Sequence, residues 1–145
     1  MARGFDLDVA TAHLAKRDRA LAKWMKRIGP LDMDGWRKPF DTVDALARSI
    51  LYQQLSGKAA ATIVSRVEAA AASRKLVPGT LARLDDAALR ACGVSGNKVL
   101  ALRDLCRRAE AGEVPAARAL PKWDDARLIE QLTAVRGIGR WTVEM

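Results

Sequence analysis

Histidine and cysteine are nearly missing from this chain, which has one His and two Cys in 145 residues. His13 is the only histidine and reads as a helix-face residue rather than a general base, so zincin and Ser-His-Asp readings have little support. Cys92 and Cys106 are too few for an iron–sulfur cluster and lack the paired spacing of a zinc site, so both are expected as reduced core residues. Long apolar runs are missing too. No stretch approaches the length of a membrane span, and the opening Met-Ala-Arg-Gly-Phe-Asp carries no signal-type apolar region. The expectation is a cytoplasmic monomer, nucleoid-associated if bacterial. No segment alternates convincingly at period two, so the class expected is all-α.

What is present is positive charge and helical patterning. Lys and Arg total 25 against 17 Asp and Glu, a net charge of +8 that favours a polyanionic partner. Acidic residues are interspersed, so charge alone does not separate a nucleic-acid binder from a merely basic protein. Half of the residues are apolar, enough for a core, and 1–145 reads as a single helical region. A first helix is expected from Asp8 to Arg27, stopped by Gly29-Pro30, with a loop from Leu31 to Pro39. Asp41 or Thr42 can cap the next helix, which turns Val43, Leu46, Ala47, Ile50 and Leu51 inward. Ser56 can cap a helix from Gly57 to about Ser73, which leaves Gln53 and Gln54 at a helix junction. Thr80 and Asp85-Asp86 can start two short helices. A helix from Asn97 to Ala111 follows the Gly93-to-Gly96 break, and a connector bracketed by Pro115 and Pro121 comes next. Asp85, Asp86 and Asp104 read as solvated helix-face acids.

Near the end, Leu132-Thr133-Ala134-Val135-Arg136-Gly137-Ile138-Gly139-Arg140-Trp141-Thr142 has the form L-x-x-V-x-G-I-G-x-W-T. Asp124 or Asp125 can cap a helix before it, with Leu128, Ile129, Leu132 and Val135 at helical spacing, and Trp141 to Met145 can open a second helix. The glycines are expected to supply positive φ and a close approach that a Cβ would forbid, so that amides at the second helix can face a phosphate. Gly-x-Gly alone would also suit an ordinary αα-turn; the flanking Leu, Val, Ile, Trp and Thr make the pattern more specific.

With those residues in view, the segment resembles the helix-hairpin-helix of the DNA glycosylase superfamily, and Trp-Thr after the hairpin is similar to its 3-methyladenine (alkylbase) branch. Ile50-Leu51-Tyr52-Gln53-Gln54-Leu55-Ser56-Gly57-Lys58-Ala59-Ala60 is similar to the I-x-x-Q-Q-x-S-x-K-A-A stretch that this branch places across its DNA-binding cleft. The resemblance runs from about Ala12 to Met145. It implies a helical glycosylase fold incomplete at its C-terminus, because the family's catalytic Asp lies past the second hairpin helix and a loop. No catalytic residue is therefore expected in this chain.

The resemblance also implies a division of labour. Gly137, Ile138, Gly139, Arg140 and Thr142 would hold phosphate oxygens with help from Lys58, Gln54 would enter the base stack, and Ser56 would lie near the minor groove. Trp141, Gln53 and Tyr52 would border the base pocket, although Tyr52 reads first as a core residue. Where lyase-type relatives carry a nucleophilic Lys, Trp141 offers none, which implies a monofunctional hydrolase. Its indole suits a cationic alkylated purine such as 3-methyladenine or 7-methylguanine. The implied partner is double-stranded DNA containing alkylated bases. No organic cofactor is implied, but the carbonyls of Thr133, Val135 and Ile138 can hold a structural monovalent cation (Na or K). Two other readings remain: a non-catalytic helix-hairpin-helix DNA-binding module, and a helical protein-interaction domain.

Overall fold

A computed structural model describes residues 6–31 and 40–145, and among them every regular element is helical, as an all-α chain requires. The sequence reads as one helical region over 1–145; the structure divides into two compact units, residues 1–38 and 39–145. Beyond Leu31, the loop expected up to Pro39 lies outside the described residues, as does Met1 to Phe5. No helix among the described residues is long and apolar enough to cross a membrane.

In the first unit the helix expected over Asp8–Arg27 is two helices, α1 (Leu7–Arg17) and α2 (Arg19–Ile28), packed on each other. Asp18 is the reason for the break. At φ −134° its Oδ1 accepts from the amides of Ala20 and Leu21 at 2.8 and 2.9 Å, so the side chain caps a new helix where continuation would leave it idle. His13 is exposed on α1.

The second unit contains α3 (Thr42–Tyr52), α4 (Gly57–Ala70), α5 (Pro78–Leu81), α6 (Asp86–Ala91), α7 (Gly96–Glu110), α8 (Asp125–Thr133) and α9 (Arg140–Glu144). Aspartates set three of these seven starts, with Asp41, Asp85 and Asp124 accepting from amides of the first turns of α3, α6 and α8. Thr80 lies inside α5, which opens instead on Pro78, a residue whose fixed φ suits a first helical position. The core is continuous. Leu46, Ala47, Ile50 and Leu51 of α3 meet Val99, Leu102 and Leu105 of α7, with Val64 and Val67 of α4 and Leu81 and Leu89 around them. Cys92 is buried in this core, while Cys106 is half-buried and burial pushes its thiol up to about 11, which keeps it protonated. Of the alanine run 69–72, only Ala71 packs inside.

Arg48 ties α3 to its surroundings. It bonds Asp44 at 2.9 Å and Glu68 of α4 at 2.8 Å, while Asp44 Oδ1 accepts from the Leu76 amide at 2.7 Å. These bonds tie the first half of α3 to α4 and to the Leu76 backbone.

Candidate nucleic-acid interface

The motif L-x-x-V-x-G-I-G alternates between inside and outside. Leu132, Val135 and Ile138 are buried in the main core, while Arg136, Gly137, Gly139 and Arg140 are exposed between and after them. Three apolar anchors therefore hold the turn and leave its polar backbone at the surface. Gly137 has φ +78°, a conformation that an L side chain adopts only under strain. Gly139 has φ −97° and open space around a would-be Cβ, so the expectation of positive φ is correct at Gly137 and must be withdrawn at Gly139. A requirement for Gly139 would have to come from whatever approaches it. Gly139 is the N-cap of α9 and provides no side-chain cap, which leaves the amides of Arg140 and Trp141 without an intrahelical partner.

Trp141 follows at 75% exposure, too open for a core anchor. Arg140 is also exposed, and its Nε donates to Glu144 at 2.6 Å. Glu144 is occupied by that pair. Thr142 is half-buried, and the Thr133 hydroxyl donates back to the Ile129 carbonyl at 2.6 Å.

The glutamine junction lies on the other side. α3 ends at Tyr52, and Gln54 takes φ +57°, a left-handed conformation uncommon outside glycine. Its side chain is exposed. Gln53 turns inward and donates from Nε2 to the Gly137 carbonyl at 2.6 Å, a bond spanning 84 residues that brings junction and hairpin together. Ser56 caps α4 by accepting from the Ala59 amide at 3.4 Å, and Lys58 is exposed in the first turn. Tyr52 is 43% exposed, which corrects the expectation of a core residue: it occupies the outer face of the last turn of α3.

Two residues outside the expected set brace this arrangement from α7. Asp104 does not face solvent as expected, because its side chain is only 20% exposed and its Oδ2 accepts from the Arg136 amide at 2.9 Å. Burial alone would raise the Asp104 carboxyl; the Arg136 amide and the guanidinium groups of Arg107 and Arg108 outweigh it and hold the carboxyl at about 2. Lys98 donates from Nζ to the carbonyls of Leu51 and Gln53, both at 2.8 Å, and burial pushes its pKa below the usual lysine range. In sequence, Asp104 with Arg107 and Arg108 has the spacing of ordinary helix-surface pairs, which is why it reads as solvated. Nothing local marks Lys98.

A cleft of about 370 Å³ lies between these parts, lined by Gln53, Gln54, Lys98 and Arg136 together with Ile50, Ser95, Asn97, Ala101 and Gly137. Among the described residues, neither Trp141 nor Tyr52 lines it, nor does any carboxylate. Among the described residues no group of His, Cys, Asp and Glu could hold a metal ion. The surface thus presents exposed hairpin backbone beside the side chains of Gln53, Gln54, Lys98 and Arg136.

The comparisons agree with this architecture. A model of the HhH-GPD superfamily base excision DNA repair proteins matches residues 47–142, from α3 to α9. DNA-3-methyladenine glycosylase 1 of Schizosaccharomyces pombe is 30% identical over 96% of this chain, which spans 61% of that protein. The crystal structure of DNA-3-methyladenine glycosidase from Bacillus halodurans superposes with a TM-score of 0.78 at 34% identity, covering 97% of this chain and 62% of that one. The S. pombe 3-methyladenine DNA glycosylase, solved in complex with abasic DNA, superposes at 0.81 with 29% identity over 93% of this chain and 66% of its own. This chain belongs to the HhH-GPD superfamily of base excision DNA repair proteins.

Proposed function

We propose that this sequence supplies the DNA-recognising parts of a monofunctional DNA glycosylase, one that flips alkylated purines such as 3-methyladenine and 7-methylguanine and hydrolyses their N-glycosidic bond. One observation carries the reading: the 2.6 Å bond from Gln53 to the Gly137 carbonyl sets a projecting glutamine at a fixed offset from the exposed hairpin. An enzyme acting on a base inside a duplex must grip the backbone and fill the gap left by the extruded nucleotide. The hairpin amides, Arg140, Thr142 and Lys58 serve the first need, and Gln54 the second. A planar amide stacks between bases and can bond the orphaned partner base.

Trp141 presents an open indole directly after the hairpin. A methylated purine cation gains from its face both stacking and cation–π attraction, and such a base leaves without strong acid catalysis. The superposed S. pombe enzyme was solved in complex with abasic DNA, the product side of such a reaction, which supports the reading. The proposed partner is double-stranded DNA, bound by a cytoplasmic monomer that is nucleoid-associated if bacterial.

The carbonyls of Thr133, Val135 and Ile138 remain candidates for a sodium or potassium ion. All-oxygen donors suit that chemistry, and Val135 O accepts one bond, from the Ile138 amide at 3.0 Å, which leaves a lone pair free.

A non-catalytic module that binds distorted DNA would use the same hairpin and glutamine junction, held together by the Gln53–Gly137 bond, and is the second reading. Two measurements on the 145-residue chain separate these readings from a protein-interaction domain. Preferential binding to a duplex with an abasic analogue is expected for both DNA-binding readings. Equal affinity for that duplex and an intact one would overturn the role given to the glutamines.

A further inference from the structure

The end of α3 is unusual in what stabilises it. Helices commonly stop at a glycine that turns left-handed at no steric cost, whereas here a glutamine adopts φ +57° one residue after the C-cap Gln53. A non-glycine residue in this region is strained and persists only where its surroundings over-determine it. The surroundings here are two bonds. The Gln53 side chain is tied to Gly137, and the Gln53 backbone carbonyl, the atom immediately before Gln54, accepts from Lys98 Nζ at 2.8 Å. The same ammonium donates to no acidic side chain among the described residues; its other bond goes to the Leu51 carbonyl at 2.8 Å. A cation at this place also suits the negative end of the helix dipole.

We propose that Lys98 is a positioning residue for the stacking glutamine: its ammonium clamps the Leu51 and Gln53 carbonyls and so holds Gln54 left-handed, with its side chain projecting from the surface. The proposal rests on the glycosylase reading of Gln54. The role assigned to Lys98 is exerted through the two backbone carbonyls of its own chain, not through a contact with DNA, although Lys98 also lines the cleft. Burial favours this use, because an ammonium half-removed from water keeps its charge by donating to well-aligned oxygens.

The test combines Lys98→Met, Lys98→Arg and Gln54→Ala in the 145-residue chain. The first readout needs no DNA: the NMR signals of the Gln54 and Leu55 amides and of the Gln53 side-chain amide should move toward flexible-loop positions in Lys98→Met and return partway in Lys98→Arg. The second is affinity for a duplex carrying an abasic analogue relative to an intact duplex, with 2-aminopurine opposite the gap to report stacking. Lys98→Met should lose the preference about tenfold, as expected when a charged hydrogen-bond pair is removed, while intact-duplex affinity changes little. In a Gln54→Ala background the Lys98 substitution should add nothing further, a non-additivity that a general loss of stability would not produce.

If Lys98→Met fails to fold, Lys98→Arg and Lys98→Gln carry the same comparison, graded by how many carbonyls each can reach. Unchanged amide signals, a retained preference, an equal loss on both duplexes, or additive effects with Gln54→Ala would each overturn the proposal. A wild-type chain with no preference would instead overturn the reading of Gln54, and the proposal with it.

Discussion

Replacing Asp104 with Asn should loosen the hairpin in a way that depends on pH. The carboxylate accepts from the Arg136 amide at 2.9 Å, from Arg107 at 2.7 Å and from Arg108 at 3.0 Å, and its pKa is held at about 2 against a reference of 3.8. At about 1.36 kcal/mol per unit the shift amounts at face value to roughly 2.5 kcal/mol. Solvent screens part of that at this partly open site, so about 1–1.5 kcal/mol is expected. The sign follows from linkage: a depressed folded-state pKa contributes stability that is fully present above about pH 4 and lost as pH falls toward 2. Asn is nearly isosteric and can still accept from the Arg136 amide, so the substitution removes charge with little change in shape. Urea unfolding of wild type and Asp104→Asn at a series of pH values should show a difference of about 1–1.5 kcal/mol at pH 7 that narrows below about pH 4 and closes only as pH falls through about 2. Equal stability at pH 7 would refute the reasoning, and so would a gap that persists unchanged in acid.

The two hairpin glycines should behave differently. Gly137→Ala forces an L side chain to φ +78° and should cost on the order of 1 kcal/mol in thermal unfolding. Gly139→Ala meets open space at ordinary φ, so stability should be unchanged while affinity for duplex DNA falls, measured by fluorescence anisotropy. Trp141→Ala removes a side chain that is 75% exposed and should leave the melting temperature within about a degree, whereas binding of DNA carrying a methylated purine should weaken by about 0.5–2 kcal/mol. Binding to undamaged duplex should weaken with salt at a log–log slope near −2.7 if about three phosphates are neutralised, and should not depend on sequence. Incubated with methylated DNA, the 145-residue chain should release free base no faster than background, since no carboxylate lines the cleft among the described residues; robust release would show that an acid such as Glu144 leaves its pair with Arg140 and acts.

How legible the interface was in sequence depended on the range of the forces that build it. Val135 and Ile138 are visible because their spacing around the glycines is a local consequence of anchoring a turn, and Asp41, Ser56, Asp85 and Asp124 are visible because a cap acts across three residues. Asp18 was available to the same rule, yet an unbroken helical pattern around it argued for one long helix; the side-chain cap prevailed because ending α1 there costs little buried surface, neither helix having a buried residue. Tyr52 was misplaced because periodicity gives the inward face of α3 but not the point at which its last turn leaves the core. Lys98 and Asp104 could not be read at all. Their partners lie 45, 47 and 32 residues away and are backbone atoms, which carry no residue-type signature. Only the fold reveals that a single helix, α7, holds the glutamine junction with one residue and the hairpin with another six positions later, and so fixes the separation between the residue that would fill the base stack and the turn that would hold the phosphates.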